Sequence, residues 1–250
     1  MRLKDKNALI TGSNRGIGLS ILESFAKEGC NIIAHSRKES KSFLDYSKKI
    51  AKKNNINIEH IHFDLEEKDH ISKEVRKLIK NKTPIDILVN SAGVIHGGLF
   101  QMTPIDEIRK VMDINLFGML ELTQLVSRYM MRNKNGSIIN ISSVAGIDLS
   151  PGNCAYGLSK AAVNAFSKTL SYELSPYGIR VNVVAPSLTD TQMAQSDEAK
   201  KERQMLLDSN EHFARMADPK EIAKTVTFLA SDEASFINGE IIRIDGGNKF

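Results

Sequence analysis

The sequence has few cysteines, no long apolar run and no strong excess of either charge. Its two cysteines, Cys30 and Cys154, stand far apart in unrelated contexts. Two such cysteines do not make a disulfide framework, and no metal-ligand spacing surrounds them, so we expect reduced thiols and no metal site. Because no apolar run is long enough to cross a bilayer, we do not expect a membrane protein.

The sequence also lacks the features of secreted and of nucleic-acid-binding proteins. The opening stretch, MRLKDKNALITG, contains no long apolar segment ahead of a small-residue cleavage site, so we expect no secretion signal and a cytoplasmic location. The net charge of +4 is mild and does not indicate a nucleic-acid partner. With 250 residues, 41% of them apolar, and with no repeat or low-complexity segment, the chain fits one α/β domain over residues 1–250.

Short β-branched runs alternate with longer helical patterns along the chain. Between these runs, apolar residues recur three or four apart, as at Ile17, Ile21, Leu22 and Phe25. Alternating strands and helices indicate βαβ units with right-handed crossovers. We therefore predict a single-domain, Rossmann-like α/β fold, a doubly wound parallel sheet of about seven strands with helices on both faces. The strand candidates are NALI, NIIAH, INIEHIHF, DILVN, SIINIS, RVNVVA and EIIRID.

A polar, weakly patterned segment follows the sixth strand candidate, at about residues 191–213. Ligands of open α/β sheets bind where strands end, so we interpret this segment as a lid over the site. Met193 and Met205 would fill gaps beneath it, because methionine adapts to irregular packing. A solvated surface helix is the alternative interpretation.

The stretch LITGSNRGIGLS places Gly12, Gly16 and Gly18 between a strand and a helix. Glycine has no β-carbon, so a ligand can closely approach the backbone there. A helix N-terminus adds unpaired N–H groups and a partial positive charge, which suit a pyrophosphate. The spacing differs from the G-x-G-x-x-G dinucleotide fingerprint, and a plain glycine turn is the alternative.

The second strand candidate runs into Ser36, Arg37 and Lys38. An NAD site usually has a carboxylate here for the ribose hydroxyls, whereas a guanidinium suits the 2′-phosphate of NADP. Arg15, in the glycine turn, would hold the same phosphate. We therefore expect NADP(H) as the cofactor. The alternative is that these cations begin a solvated helix.

Tyr156 and Lys160 are four residues apart in a long helical pattern and so share one face. A nearby ammonium favours the phenolate and lowers the pKa of a tyrosine, which suits a general acid. Ser142 and Ser143 follow the preceding strand, where a hydroxyl can hold a carbonyl oxygen beside the tyrosine. Asn115 occupies a helical pattern in which an amide is unusual. Taken alone, the Tyr/Lys spacing is more typical of a surface pair.

Together, these motifs make the chain resemble the short-chain dehydrogenase/reductase family over nearly its whole length. The matching features are TGSNRGIG, NSAG, Asn115, Ser143, the Tyr156–Lys160 pair and APSLTDT. The resemblance implies a Rossmann-like sheet, a nicotinamide cofactor and a homotetramer or dimer.

The resemblance also implies a role for each candidate residue. Tyr156 would protonate the substrate carbonyl oxygen as hydride arrives, and Ser143, rather than Ser142, would orient that oxygen. Lys160 would hold the nicotinamide ribose and lower the tyrosine pKa, and Asn115 would support a water that leads protons to the lysine. The implied cofactor contacts are Gly12, Ser13, Asn14, Arg15, Gly16, Ile17, Gly18, Ser36, Arg37, Asp64, Leu65, Asn90, Ala92, Gly93, Tyr156, Lys160, Pro186, Thr189 and Thr191.

Within the family, the chain is most similar to reductases of 3-oxoacyl groups, which implies an acyl thioester substrate, free or on acyl carrier protein, and NADPH. The chain departs from these reductases in three places. His96 follows the NSAG turn, where arginine is usual. Lys134 and Tyr177 replace arginines expected near the site entrance, and Ser187 and Thr189 make the pocket more polar.

These departures keep two other functions open. One is an NADP-dependent reductase or dehydrogenase of a polar small molecule, such as a sugar or polyol derivative. The other is a non-catalytic dinucleotide sensor, although a sensor has no use for the proton donor that Tyr156 would supply.

Overall fold

Seven parallel strands form one sheet in the computed structural model, which describes residues 1–81, 83–195, 204 and 215–247. The strands are β1 (Asn7–Ile10), β2 (Asn31–Ser36), β3 (Ile58–His62), β4 (Ile87–Asn90), β5 (Gly136–Ile141), β6 (Ile179–Pro186) and β7 (Ile241–Ile244). Their order, β3-β2-β1-β4-β5-β6-β7, is that of a doubly wound sheet. The predicted fold class is confirmed, and each strand candidate forms a strand.

Helices cover both faces of this sheet. They are α1 (Gly16–Lys27), α2 (Lys41–Asn54), α3 (Lys68–Lys80), α4 (Ile105–Met112), α5 (Gly118–Asn133), α6 (Cys154–Leu174) and α7 (Pro219–Ala230). Helices α1, α2 and α7 contribute to one core, and α3, α5 and α6 contribute to the other. Because successive strand residues point to opposite faces, Leu9 joins the second core and Ile10 the first.

One wide turn, Asp113–Phe117, joins α4 to α5 as a π-helix. The sequence pattern indicates ordinary helix here and does not reveal the extra residue in the turn. Turns of this kind are rare and are frequent at functional sites. The wide turn carries Asn115, which is buried.

A cavity of about 760 Å³ opens at the carboxyl ends of the central strands. Its volume is in the range of small-molecule sites. The strand order reverses between β1 and β4, and open α/β sheets bind ligands at this reversal. We call it the switch-point cavity.

The first residues of the predicted lid lie at the mouth of the switch-point cavity. Thr191 packs against the glycine-rich turn, since a Cβ on Gly16 would lie 3.3 Å from its methyl carbon. Met193 also lines the cavity. The rest of the segment to residue 213, apart from Gln204, lies outside the described residues, and so does Met205.

Candidate active site

The glycine-rich turn forms one wall of the switch-point cavity. Gly12 has a left-handed φ of +65°, and a Cβ there would come within 3.0 Å of the Ala92 Cα. Helix α1 begins at Gly16, so the unpaired N–H groups of its first turn lie beside the cavity. This cradle fits a pyrophosphate, because both the space and the donors are present. The turn residues that line the cavity are Gly12, Asn14, Arg15, Gly16, Ile17 and Gly18.

Cationic side chains lie along the same wall. Arg37 and Lys38 line the cavity, and neither forms an ion pair with any described residue. Arg15 donates a hydrogen bond of 3.5 Å from Nη1 to Gln192 Oε1, across the cavity mouth. The arrangement offers positive charge to a phosphate group. Other predicted cofactor contacts on the wall are Asp64, Leu65, Ala92, Gly93, Pro186, Thr189 and Thr191.

Three predicted cofactor contacts do not line the cavity. Ser13 is fully buried, and its N–H and its hydroxyl both donate to the carbonyl oxygen of His35. The Ser36 hydroxyl donates to a main-chain carbonyl two residues further on. The Asn90 amide donates to two buried side chains of neighbouring elements. These side chains therefore hold the wall together from behind, and their direct contact with the cofactor stays a prediction.

The three catalytic candidates Ser143, Tyr156 and Lys160 line one part of the cavity together. Ser143 follows β5 closely, and Tyr156 and Lys160 lie one turn apart near the beginning of α6. The Ser143 hydroxyl oxygen accepts a hydrogen bond of 3.2 Å from the Ala145 N–H. A hydroxyl, a phenol and an ammonium thus face a common space, as the sequence predicts.

Lys160 is held inside the protein. Its Nζ donates to the carbonyl oxygen of Ile141 at 2.8 Å and lies 5.7 Å from the centre of the Tyr156 ring. Burial lowers the pKa of Lys160 to about 8. Ser142 also helps to hold Lys160 in place, because its hydroxyl donates a hydrogen bond to the main-chain carbonyl of Lys160. This contact explains why Ser142, although near the cavity, is the weaker candidate.

Asn115 lies behind the lysine rather than in the cavity wall. Its Oδ1 accepts the Val94 N–H at 2.8 Å, and its Nδ2 donates to the Val94 carbonyl and to Ser159 Oγ. A Cβ on Gly93 would lie 3.0 Å from Asn115 Oδ1 and 3.6 Å from Lys160 Nζ. Asn115 thereby ties the wide turn to the segment after β4. Its support of a water stays a prediction.

Sequence reasoning missed a further group of wall residues. Phe63, Ile95, Ile141 and Leu188 line the cavity, but in a sequence they are indistinguishable from core positions. His35 also lines it, with its imidazole bonded beneath the glycine-rich turn. Its only sequence signal is its place near the end of β2, where doubly wound sheets bind ligands.

The substrate end of the cavity is polar. Asp148, Ser150, Asn153 and Ser187 line it, and His96 does not. Asp148 is paired with Arg243 of β7, with 2.6 Å between the charged atoms. Its carboxylate is therefore committed to an ion pair within the protein.

Two residues expected near the entrance lie elsewhere. Lys134 follows α5 and Tyr177 precedes β6, which places both at the amino end of the parallel sheet. The cavity opens at the carboxyl end. Within one chain, Lys134 and Tyr177 therefore do not border the cavity entrance, and their part in the docking of a carrier stays a prediction.

Three other findings concern the described residues as a set. None of their helices is both long enough and apolar enough to span a membrane. Among residues 1–81, 83–195, 204 and 215–247, no three His, Cys, Asp or Glu side chains come together as metal ligands. Cys30 and Cys154 are both free thiols.

Comparison with known proteins agrees with this geometry. A family model described as enoyl-(acyl carrier protein) reductase matches residues 12–249. The 3-oxoacyl-[acyl-carrier-protein] reductase of Thermotoga maritima is 38% identical over 247 residues, which cover 99% of each chain. The enzyme of the same name from Staphylococcus aureus is 36% identical, with 97% of each chain covered.

Solved structures give the same assignment. A short-chain dehydrogenase/reductase family protein of 29% identity superposes with a TM-score of 0.84, covering 99% of this chain and 98% of its own. Family members bind a nicotinamide cofactor, which the glycine-rich cradle fits. The chain is therefore a member of the short-chain dehydrogenase/reductase family of oxidoreductases.

Proposed function

We propose that this protein is an NADPH-dependent ketoreductase that converts a 3-oxoacyl thioester into a 3-hydroxyacyl thioester. The observation that carries the proposal is that Ser143, Tyr156 and Lys160 line the cavity that the glycine-rich turn also lines. The names of the relatives from Thermotoga maritima and Staphylococcus aureus favour the 3-oxoacyl substrate.

In the proposed reaction, the chain's own residues manage the carbonyl oxygen. A bound nicotinamide cofactor supplies the hydride. The Ser143 hydroxyl donates a hydrogen bond to the ketone oxygen and orients it. The Tyr156 phenol gives that oxygen a proton, so that negative charge does not accumulate on it. The Lys160 ammonium favours the phenolate that remains.

The cofactor preference for NADP(H) rests on charge. Arg37 and Lys38 line the cavity without ion-pair partners among the described residues, and Arg15 lines the same cavity. A guanidinium binds a phosphate with two parallel hydrogen bonds, which favours the 2′-phosphate of NADP. The same cations offer less to the two ribose hydroxyls of NAD.

The proposal includes a homo-oligomer, a tetramer or a dimer, located in the cytoplasm. Phe117 and Leu158 are about half exposed on the wide turn and on α6, where apolar side chains favour contact with a second copy. The acyl group would come from a small thioester or from acyl carrier protein.

A second candidate is reduction of a polar carbonyl compound such as a sugar or polyol derivative. Ser150, Asn153 and Ser187 favour it, because they add hydrogen-bonding groups to the substrate end of the cavity. The Thr189 hydroxyl argues less for it, since this hydroxyl donates to the Ser187 carbonyl.

The test measures NADPH oxidation by the purified protein with an acetoacetyl thioester, a panel of keto-sugars and a crotonyl thioester as substrates. The same assays are repeated with NADH. Tyr156→Phe removes the proton donor, and Tyr172→Phe is the matched control, because Tyr172 is 69% exposed. We expect turnover with NADPH that only Tyr156→Phe abolishes. Turnover of keto-sugars alone would favour the second candidate. Turnover of a crotonyl thioester alone would instead point to an enoyl reductase, the description of the matching family model.

A further inference from the structure

We propose that His35 is a residue that positions the cofactor. Its imidazole fixes the Gly12 amide and so sets the shape of the phosphate-binding turn. The inference rests on the nicotinamide cofactor of the proposed function. His35 lies near the end of β2, its side chain is 2% exposed, and it lines the switch-point cavity.

Both ring nitrogens of His35 have main-chain partners. Nδ1 accepts the Gly12 N–H at 3.3 Å, and Nε2 lies 3.0 Å from the Phe63 carbonyl oxygen. An amide N–H needs a lone pair and a carbonyl oxygen needs a proton, so one tautomer satisfies both contacts. That tautomer is neutral, with its proton on Nε2.

The main chain of His35 holds the next residue of the turn. Its carbonyl oxygen accepts the Ser13 N–H at 2.9 Å and the Ser13 hydroxyl at 3.0 Å. One residue of β2 therefore fixes both Gly12 and Ser13. The Gly12 N–H points towards the ring, so the donors that remain for a phosphate belong to the following residues and to the first turn of α1.

Gly12 is a point of the turn that such support stabilises. Its φ of +65° is left-handed, and its Cα region packs closely against Ala92 on the other side. A glycine has wide conformational freedom in the absence of contacts. The hydrogen bond from Gly12 to His35 removes that freedom, which prepares the turn for the ligand.

The imidazole also connects this turn to the next strand. Its centroid is 3.9 Å from that of the Phe63 ring, which lines the cavity and directly precedes Asp64. Asp64 is one of the predicted cofactor contacts. His35 thus joins the two parts of the wall that a dinucleotide would span.

Two substitutions separate the ring's two contacts. In His35→Asn, the amide oxygen takes the place of Nδ1 and keeps an acceptor for the Gly12 N–H. In His35→Gln, the amide nitrogen takes the place of Nε2 and keeps a donor for the Phe63 carbonyl, while the acceptor for Gly12 is lost. Both variants lose the aromatic ring, so their difference compares the Gly12 contact, which only His35→Asn keeps, with the Phe63 contact, which only His35→Gln keeps.

The experiment measures the dissociation constants of NADPH and NADH by direct fluorescence titration, together with KM and kcat. We expect His35→Gln to weaken the binding of both cofactors by about tenfold, with kcat at saturating cofactor unchanged, and His35→Asn to stay within about twofold of wild type. Equal affinities in the two variants, or a fall in kcat with an unchanged KM, would overturn the inference. Wild-type protein that binds neither cofactor would instead overturn the proposed function.

A second measurement does not depend on the folding of the variants. Nitrogen-15 NMR of histidine-labelled wild-type protein reports which ring nitrogen of His35 carries the proton. We expect a protonated Nε2 and an unprotonated Nδ1 at pH 7. A proton on Nδ1 would rule out the Gly12 contact and with it the inference.

Discussion

The ammonium of Lys160 lies 2.8 Å from the carbonyl oxygen of Ile141, at the end of β5. This hydrogen bond holds the cation inside the protein, where the lysine is 6% exposed, and directs it past the ring of Tyr156. The lysine is thus placed by the neighbouring strand before any ligand binds. Such placement has a cost in stability, because a buried charge loses its hydration.

Lys160→Met should stabilise the protein while it disables the reaction. Burial lowers the pKa of Lys160 from 10.5 to about 8, so the unfolded chain binds this proton more tightly than the folded chain does. At pH 7 the difference opposes folding by about 3 kcal/mol. Loss of the donor to Ile141 costs about 1 kcal/mol, which leaves a net gain of about 2 kcal/mol in the free energy of unfolding. The kcat should fall by roughly a hundredfold.

Denaturant unfolding and steady-state kinetics measure these two effects. Lys168→Met is the control, because Lys168 lies on the same helix and is exposed. It should change the free energy of unfolding by less than about 0.5 kcal/mol. A Lys160→Met protein that is less stable than wild type would show that the buried ammonium stabilises the fold.

Gly12→Ala should destabilise the protein beyond the cost of backbone strain. Gly247 has a similar φ of +79°, and no described atom lies within 4 Å of the point that its Cβ would occupy, so Gly247→Ala measures the strain alone. A left-handed conformation costs a non-glycine residue about 1–2 kcal/mol at either position. The contact with Ala92 should add about 1–3 kcal/mol at Gly12. Equal losses in denaturant unfolding would mean that Ala92 moves aside easily.

The sheet and its helices were predictable because parallel strands are buried on both faces. Such strands appear in the sequence as short apolar runs, and helices α1, α2, α3, α5, α6 and α7, which cover them, have apolar residues at a different period. The lining residues Tyr156 and Lys160 were predictable because their spacing of four is a property of one helix. These features depend on neighbours in the sequence.

The remaining features depend on contacts between distant segments. The Asn90 amide donates hydrogen bonds to Thr123 and Asn140, which are 33 and 50 residues away. The neighbouring sequence therefore does not indicate that this side chain points away from the cavity. The imidazole of His35 contacts Gly12, 23 residues earlier, and Phe63, 28 residues later. The wide turn at Asn115 is equally invisible, because it is defined by its main-chain hydrogen bonds and not by the types of its residues.

Arg37→Ala should lower the preference for NADPH over NADH. A charge-assisted hydrogen bond to the 2′-phosphate contributes about 1.5–3 kcal/mol, which corresponds to roughly a tenfold to hundredfold rise in KM for NADPH. The KM for NADH should stay within about twofold, since NADH has no 2′-phosphate for the guanidinium to bind. The control is Arg109→Ala, which removes an exposed arginine paired with Asp106. An equal rise in both KM values would assign Arg37 to the general shape of the site.

Acid should destabilise wild-type protein more than the His35→Asn variant. Burial lowers the pKa of His35 from 6.5 to about 4. Two neighbouring side chains act on the same pKa in opposite directions, since His62 lowers it and Asp64 raises it. Below pH 6.5 the unfolded chain therefore takes up a proton that the folded chain does not accept until about pH 4. The free energy of unfolding therefore falls as the pH is lowered through this window. His35 accounts for a fall of about 2 kcal/mol between pH 7 and pH 5.

The measurement is the free energy of urea unfolding of both proteins at pH 7 and pH 5. The amide introduced by His35→Asn does not titrate, whereas every other ionisable group is common to the two proteins and cancels in the comparison. The wild-type value should fall by about 2 kcal/mol more than that of the variant. Equal falls would mean that His35 is protonated in the folded protein as readily as in the unfolded chain, so that the fold does not favour the neutral ring as the Gly12 contact requires.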